Sequence, residues 1–131
     1  MVATRDTSSD AVRSPLDAYY RALDGGDVDA TVATFTADAV YIRPTLPPAD
    51  PGLEVIRGRD ALREFFVARG KQPHRHEVRA SAVDGPRCFV EGVAGVEGEP
   101  PTHVFLVHAT LDADGLIERY FALMAETPGD V

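Results

Sequence analysis

The stretch HRHEVRASAVDGPRCFVEGVAGVEGEPPTHVFLVHATLDADGLIERYFALM, residues 74–124, decides the fold. It divides into four β-favouring runs. His74–Val83 is bounded by the Asp84-Gly85 turn, and Arg87–Val96 by the Glu97-Gly98-Glu99-Pro100-Pro101 loop. His103–Leu111 is bounded by Asp112-Ala113-Asp114-Gly115, and Leu116–Met124 closes the series. Apolar runs of this length separated by Gly, Pro and Asp clusters read as strands joined by tight turns. Strands consecutive in sequence and joined by turns pair antiparallel, so a meander follows.

Outward from the meander the pattern becomes helical. Asp60–Arg69 sets Leu62, Phe65 and Phe66 on one side and stops at Gly70. Before it, Thr45–Gly52 holds Pro47, Pro48 and Pro51 and reads as an irregular loop. Ala39–Arg43 is a short strand ended by Pro44. Ser14 and Pro15 suit a helix start, Leu16, Tyr19, Tyr20 and Leu23 recur at helical spacing, and Gly25-Gly26 stops that helix. Asp27 caps a second helix with Val28, Val32 and Phe35 as its apolar stripe. The expected order is α-α-β-α-β-β-β-β. This is an α+β fold: a curved, mostly antiparallel sheet packed on three helices, forming a cone with an internal pocket. One domain spans 14–125, with tails at 1–13 and 126–131.

The chain has 131 residues, suited to one core. Its 21 acidic against 13 basic residues leave a net charge of −8, which disfavours nucleic acid and anionic membrane surfaces as partners. No apolar run spans a bilayer, the first residues lack the apolar segment of a secretory signal, and a single cysteine, Cys88, excludes an internal disulfide. A cytoplasmic location is expected.

The segments YYRALDGGDVDATVATFTADAVYIRP, GRDALREFF and DADGLIERYFALM, in that order and spacing, resemble the nuclear-transport-factor-like superfamily. Within it they resemble the SnoaL-like and ketosteroid-isomerase-like proteins. The likeness covers about residues 14–125 and implies the cone fold, which carries isomerases, cyclases, dehydratases, hydrolases and non-catalytic binders. The ketosteroid-isomerase pattern implies a tyrosine donor at Tyr19, a carboxylate base where Arg43 stands, and a protonated acid where Val107 stands. Two of those three positions carry other residues. SnoaL-type cyclases use an acid late in the last strand, where this chain reads RYFALM.

Alternation assigns the faces. His74, His76, Val78 and Ala80 share one face of their strand, which is read as the inner one because Arg75, Glu77 and Arg79 share the other. The resemblance places Phe89 and Glu91 inside, together with His103, Phe105, Val107, Ala109 and Leu111. The later members of Leu116, Glu118, Tyr120, Ala122 and Met124 join them, and Tyr41 and Arg43 point the same way. With Phe66 and Tyr19 this gives an aromatic wall carrying a few polar groups, suited to a small hydrophobic organic ligand.

The candidate catalytic residues are Tyr19, Arg43, His74 and Glu91. Buried in an apolar wall, Glu91 would serve as acid or base; turned outward, it would leave Cys88, Val90 and Ala94 as the buried set. His74 is preferred over His76 as a base because it starts its strand near the expected mouth. His74 and His76 with His103 or Glu91 have metal-ligand spacing, but rim histidines explain them as well, and neither metal nor cofactor is assigned. Arg43 either stabilises developing negative charge or forms a structural ion pair. The expected activity is a cofactor-independent acid–base isomerase, cyclase or dehydratase acting on a hydrophobic carbonyl compound, polyketide-like or steroid-like. The alternative is a non-catalytic ligand-binding or dimerisation module. An outer sheet face bearing Val90, Ala94, Val104 and Leu106 is expected to pair two copies as a homodimer.

Overall fold

A computed structural model describes residues 12–127. The expected tail residues 1–11 and 128–131 lie outside the described residues, and residue 126 ends the last strand rather than beginning a tail. Nine elements follow in order: α1 Asp17–Gly25, α2 Val28–Ala33, β1 Phe35–Pro44, β2 Leu53–Arg57, α3 Arg59–Arg69, β3 His74–Asp84, β4 Arg87–Val96, β5 His103–Leu111 and β6 Ile117–Glu126. The six strands form one sheet in the order β2-β1-β6-β5-β4-β3. Every neighbouring pair is antiparallel except β1 with β6. None of the described helices is long and apolar enough to cross a membrane.

Local chemistry sets the helix ends. Ser14 and Asp17 bond reciprocally ahead of α1: the Ser14 N–H donates to the Asp17 carboxylate at 3.1 Å, and the Ser14 carbonyl accepts from the Asp17 N–H at 3.2 Å. This turn delays the helix to Asp17, two residues beyond Pro15. Gly26 ends α1 at φ 73°, a left-handed conformation that only glycine adopts freely. The Asp27 side chain caps α2 by accepting from the Ala30 N–H at 3.0 Å.

The sequence pattern missed β2 and understated β1, which begins at Phe35 rather than Ala39. Phe35 therefore belongs to a strand and not to the α2 stripe. It is fully buried beside Leu16, Tyr19 and Leu62 where the helices meet the sheet. Complete burial of each such side chain contributes roughly 1.5–3 kcal/mol.

Register fixes which side of each strand faces that core. Residues directly opposite on paired strands share a face. Phe105 faces the core, and its partner on β4 is Gly92; Val107 pairs with Val90 and Ala109 with Cys88. The inner set on β4 is therefore Cys88, Val90, Gly92 and Ala94, which puts Phe89 and Glu91 on the outer face. In β3 a bulge between Val78 and Ala80 reverses the alternation, so Ala80 is exposed.

Gly92 has a steric purpose. A methyl carbon there would meet the Glu77 carbonyl oxygen at 2.5 Å and overlap the Phe105 ring. Gly92→Ala is expected to cost about 3 kcal/mol, at the upper end of overpacking penalties, because one of the two obstacles is backbone. Urea unfolding checks this as a lower midpoint at unchanged slope.

Candidate active site

Between the helices and the sheet lies a cavity of about 470 Å³, with walls from α1, β1, α3 and β3 to β6. Leu46, Ala68, Gln72 and Met124 are the exposed members of its wall and mark the mouth. Of the residues expected inside, Tyr19, Tyr41, Arg43, His74, His76, His103, Phe105, Tyr120 and Met124 line it.

The floor is phenolic. Tyr19 Oη and Tyr41 Oη lie 2.9 Å apart, and Tyr20 Oη lies 3.1 Å from Tyr120 Oη. Tyr41 stacks on Tyr120 with ring centroids 4.8 Å apart and planes 6° from parallel, because the two are register partners on β1 and β6. Each hydroxyl pair uses one proton internally and keeps one to donate elsewhere. Burial pushes all four phenols above their ordinary range. In Tyr41 the Tyr19 hydrogen bond and then Arg43 and Arg69 act against that rise. The tyrosines are therefore proton donors, not phenolates.

His76 is held by a carboxylate that sequence reasoning missed. Asp24, in the last turn of α1, places Oδ1 at 2.6 Å from His76 Nδ1 and accepts the His76 backbone N–H on Oδ2 at 2.8 Å. Both side chains are about nine-tenths buried, at 11% and 10% exposed. An ionised carboxylate only accepts, so it holds a proton on His76 Nδ1, and in the neutral imidazole Nε2 is then the nitrogen with the lone pair. Tyr20 stacks on the imidazole at 5.3 Å and Phe105 meets it edge-on at 5.4 Å, which fixes the ring plane. One local signal could have exposed the pair. An acid in the last helical turn opposes the helix dipole at a cost of roughly 0.3–1 kcal/mol, and so implies a partner elsewhere.

Arg43 lies at 13% exposure over the Phe65 ring, 5.1 Å from its centroid, with Nε 3.7 Å from Glu54. Arg69, from the end of α3, is a second guanidinium in the wall that the sequence did not disclose.

Several expectations are corrected. Glu91 is exposed on the outer face and Phe89 is 43% exposed there, because their β5 partners Leu106 and His108 also face away from the core. Glu91 cannot act in the cavity. Phe66 and Val107 are buried in the hydrophobic core instead of lining the cavity, and Phe65, one helical position away from Phe66, takes the lining place. His74 sits in the wall 6.2 Å from the His103 ring, and it is His76 that the carboxylate holds. Among the described residues no cluster of three or more His, Cys, Asp or Glu could hold a metal ion. Cys88 is buried against the helices, and burial pushes its thiol up. Val90 and Ala94 also face the core, so of the residues expected on the outer face Val104 and Leu106 remain there, joined by the exposed Phe89 and Leu123.

A model of the SnoaL-like domain matches residues 16–120. No curated protein matches the chain by sequence. Among solved structures, a provisionally named ketosteroid isomerase from Kribbella flavida is 22% identical with a TM-score of 0.65, the match covering 89% of this chain and 79% of that one. An epoxide hydrolase/cyclase-like enzyme of pyran ring formation in the polyether salinomycin is 23% identical at TM-score 0.64, covering 85% and 88%. An LEH-like epoxide hydrolase of M. tuberculosis is 18% identical at TM-score 0.64, covering 85% and 80%. At these identities the likeness is one of fold.

Proposed function

We propose, since this chain belongs to the SnoaL-like domain family, that it is a cofactor-independent acid–base enzyme acting on a hydrophobic carbonyl compound. Isomerisation, cyclisation and dehydration are the reactions within its reach. The observation that carries this reading is the His76–Asp24 pair, whose imidazole stands in the cavity wall. A proton next to a carbonyl leaves only when a base sits within hydrogen-bond reach and the oxygen's growing charge is met. His76 Nε2 supplies the base, and Asp24 stabilises the imidazolium that forms. The Tyr19–Tyr41 hydroxyls supply the donor to the carbonyl oxygen, and Arg43 adds positive charge. In an unsaturated ketone, return of the proton at a second carbon completes an isomerisation; in a β-hydroxy ketone, the hydroxyl leaves as water by taking the proton from the imidazolium, which completes a dehydration.

The test is hydrogen exchange next to the carbonyl of β-tetralone in heavy water, followed by NMR. Catalysed exchange well above buffer is the expected result. Saturable binding without exchange across β-tetralone and its bicyclic relatives would favour the non-catalytic binding module. That second reading draws support from Arg43 and Val107 standing where isomerase carboxylates are expected.

We also propose that a second copy of the chain covers the outer sheet face. Phe89, Leu106 and Leu123 are each at least 43% exposed there, and register places Leu106 directly beside Leu123. An apolar patch across three adjacent strands is of the kind that a self-complementary two-fold contact buries. Light scattering at micromolar concentration should give the mass of two chains, and Leu106→Glu should halve it. A monomer without any substitution overturns this proposal.

A further inference from the structure

We propose that the cavity takes an anionic ligand, a hydrophobic organic acid whose carboxylate is held between Arg43 and Arg69. This rests on the cavity being the ligand site, as argued above, and adds the charge of what enters it. With a net charge of −8 the chain as a whole turns anions away. The cavity reverses that sign. Its wall carries two guanidiniums and three imidazoles, and no Asp or Glu.

The carboxylates nearest these groups do not cancel them. Asp24 is committed to His76. Glu54 reaches Arg43 only through Nε, at 3.7 Å, with its own side chain 40% exposed. That contact is not the parallel two-bond fork of a strong guanidinium–carboxylate pair, so the terminal nitrogens of Arg43 are left to another acceptor. Burying a guanidinium costs least when its terminal nitrogens also find an acceptor.

Both cations line the same cavity. Arg43 stands two residues from Tyr41 on the same face of β1, and both Arg43 and Arg69 draw the Tyr41 phenol down against the effect of burial. Each lies three residues from an exposed residue of the mouth, Arg43 from Leu46 and Arg69 from Gln72. A carboxylate would thus be held near the entrance. The apolar remainder of the wall, chiefly Phe65, Phe105, Ala122 and Met124, would cover the hydrophobic body.

Calorimetric titration of the full chain with naphthoate and with the neutral methyl ketone of the same ring system tests this. Naphthoate should bind at least about tenfold more tightly, with the advantage shrinking as salt is added. Arg69→Gln should remove about tenfold from naphthoate affinity and leave the ketone's unchanged, while Arg69→Lys keeps most of the preference. Melting curves of both variants guard against a folding defect. Equal affinity for acid and ketone, or equal loss of both in Arg69→Gln, overturns the anion proposal and leaves the cavity as a ligand site. Binding of neither probe overturns both.

Discussion

Up to about pH 10 the folded protein will show no phenolate absorbance, and above that it will unfold in a single step in which all four tyrosines ionise together. The chain has four tyrosines, and all are buried: Tyr19 at 1% exposure, Tyr20 at 5%, Tyr41 at 6% and Tyr120 at 4%. Burial raises each of them above the value it has in the unfolded chain. For an acid raised in the folded state, the stabilisation is intact below the unfolded pKa. It is lost as pH climbs past that point, because the unfolded chain sheds protons that the folded chain keeps. Each phenol then costs about 1.4 kcal/mol per pH unit, so four cost on the order of 5 kcal/mol per unit. A typical domain has about 5–15 kcal/mol in total, so one to three units of alkalinity suffice. Parallel near-ultraviolet and circular dichroism titrations should give coincident transitions. Phenolate appearing gradually, with secondary structure intact, would show that the network admits water.

The second large effect is on chemistry. His76→Gln should lower catalysed exchange on β-tetralone by about 10²–10⁴-fold, the usual contribution of a positioned general base. Asp24→Asn should lower it by about 10²-fold through a different route. An amide in place of the carboxylate can donate to Nδ1, which moves the ring proton to Nε2 and removes the lone pair that does the work. Ring-nitrogen NMR shifts of His76 would register that change of tautomer, which a merely structural role for Asp24 would not produce. Glu91→Gln, on the far side of the sheet, should leave the rate unchanged. An inactive Glu91→Gln beside a fully active His76→Gln would reverse the assignment.

The contrast between Glu91 and His76 shows where sequence reasoning holds and where it fails. The meander was legible because each connection carries its own turn chemistry: the expected limits of β4 and β5 match the structure, and β3 runs one residue further. Alternation and charge placed His76 in the cavity wall, and alternation read with the family resemblance placed Phe105, Tyr120 and Met124 there. It could not choose the inner face of β4. That choice follows from which β5 residue stands opposite which β4 residue, and register is not written in either strand alone. The charge of Glu91 and the small size of Gly92 were the local clues to it. The five residues of β2 were too short a run between a proline loop and a helix to stand out. Asp24 and His76 are 52 residues apart, and only the packing of α1 onto β3 joins them.

β3 is the last strand of the sheet, so one side of its backbone has no neighbouring strand. Asp24 Oδ2 occupies the His76 amide on that side, closing a site where a strand from another molecule could begin to add. The charged Arg75, Glu77 and Arg79 guard the rest of this margin. One carboxylate thus both holds an imidazole and caps an open strand edge, so Asp24→Ala is expected to weaken aggregation resistance together with the proposed exchange activity.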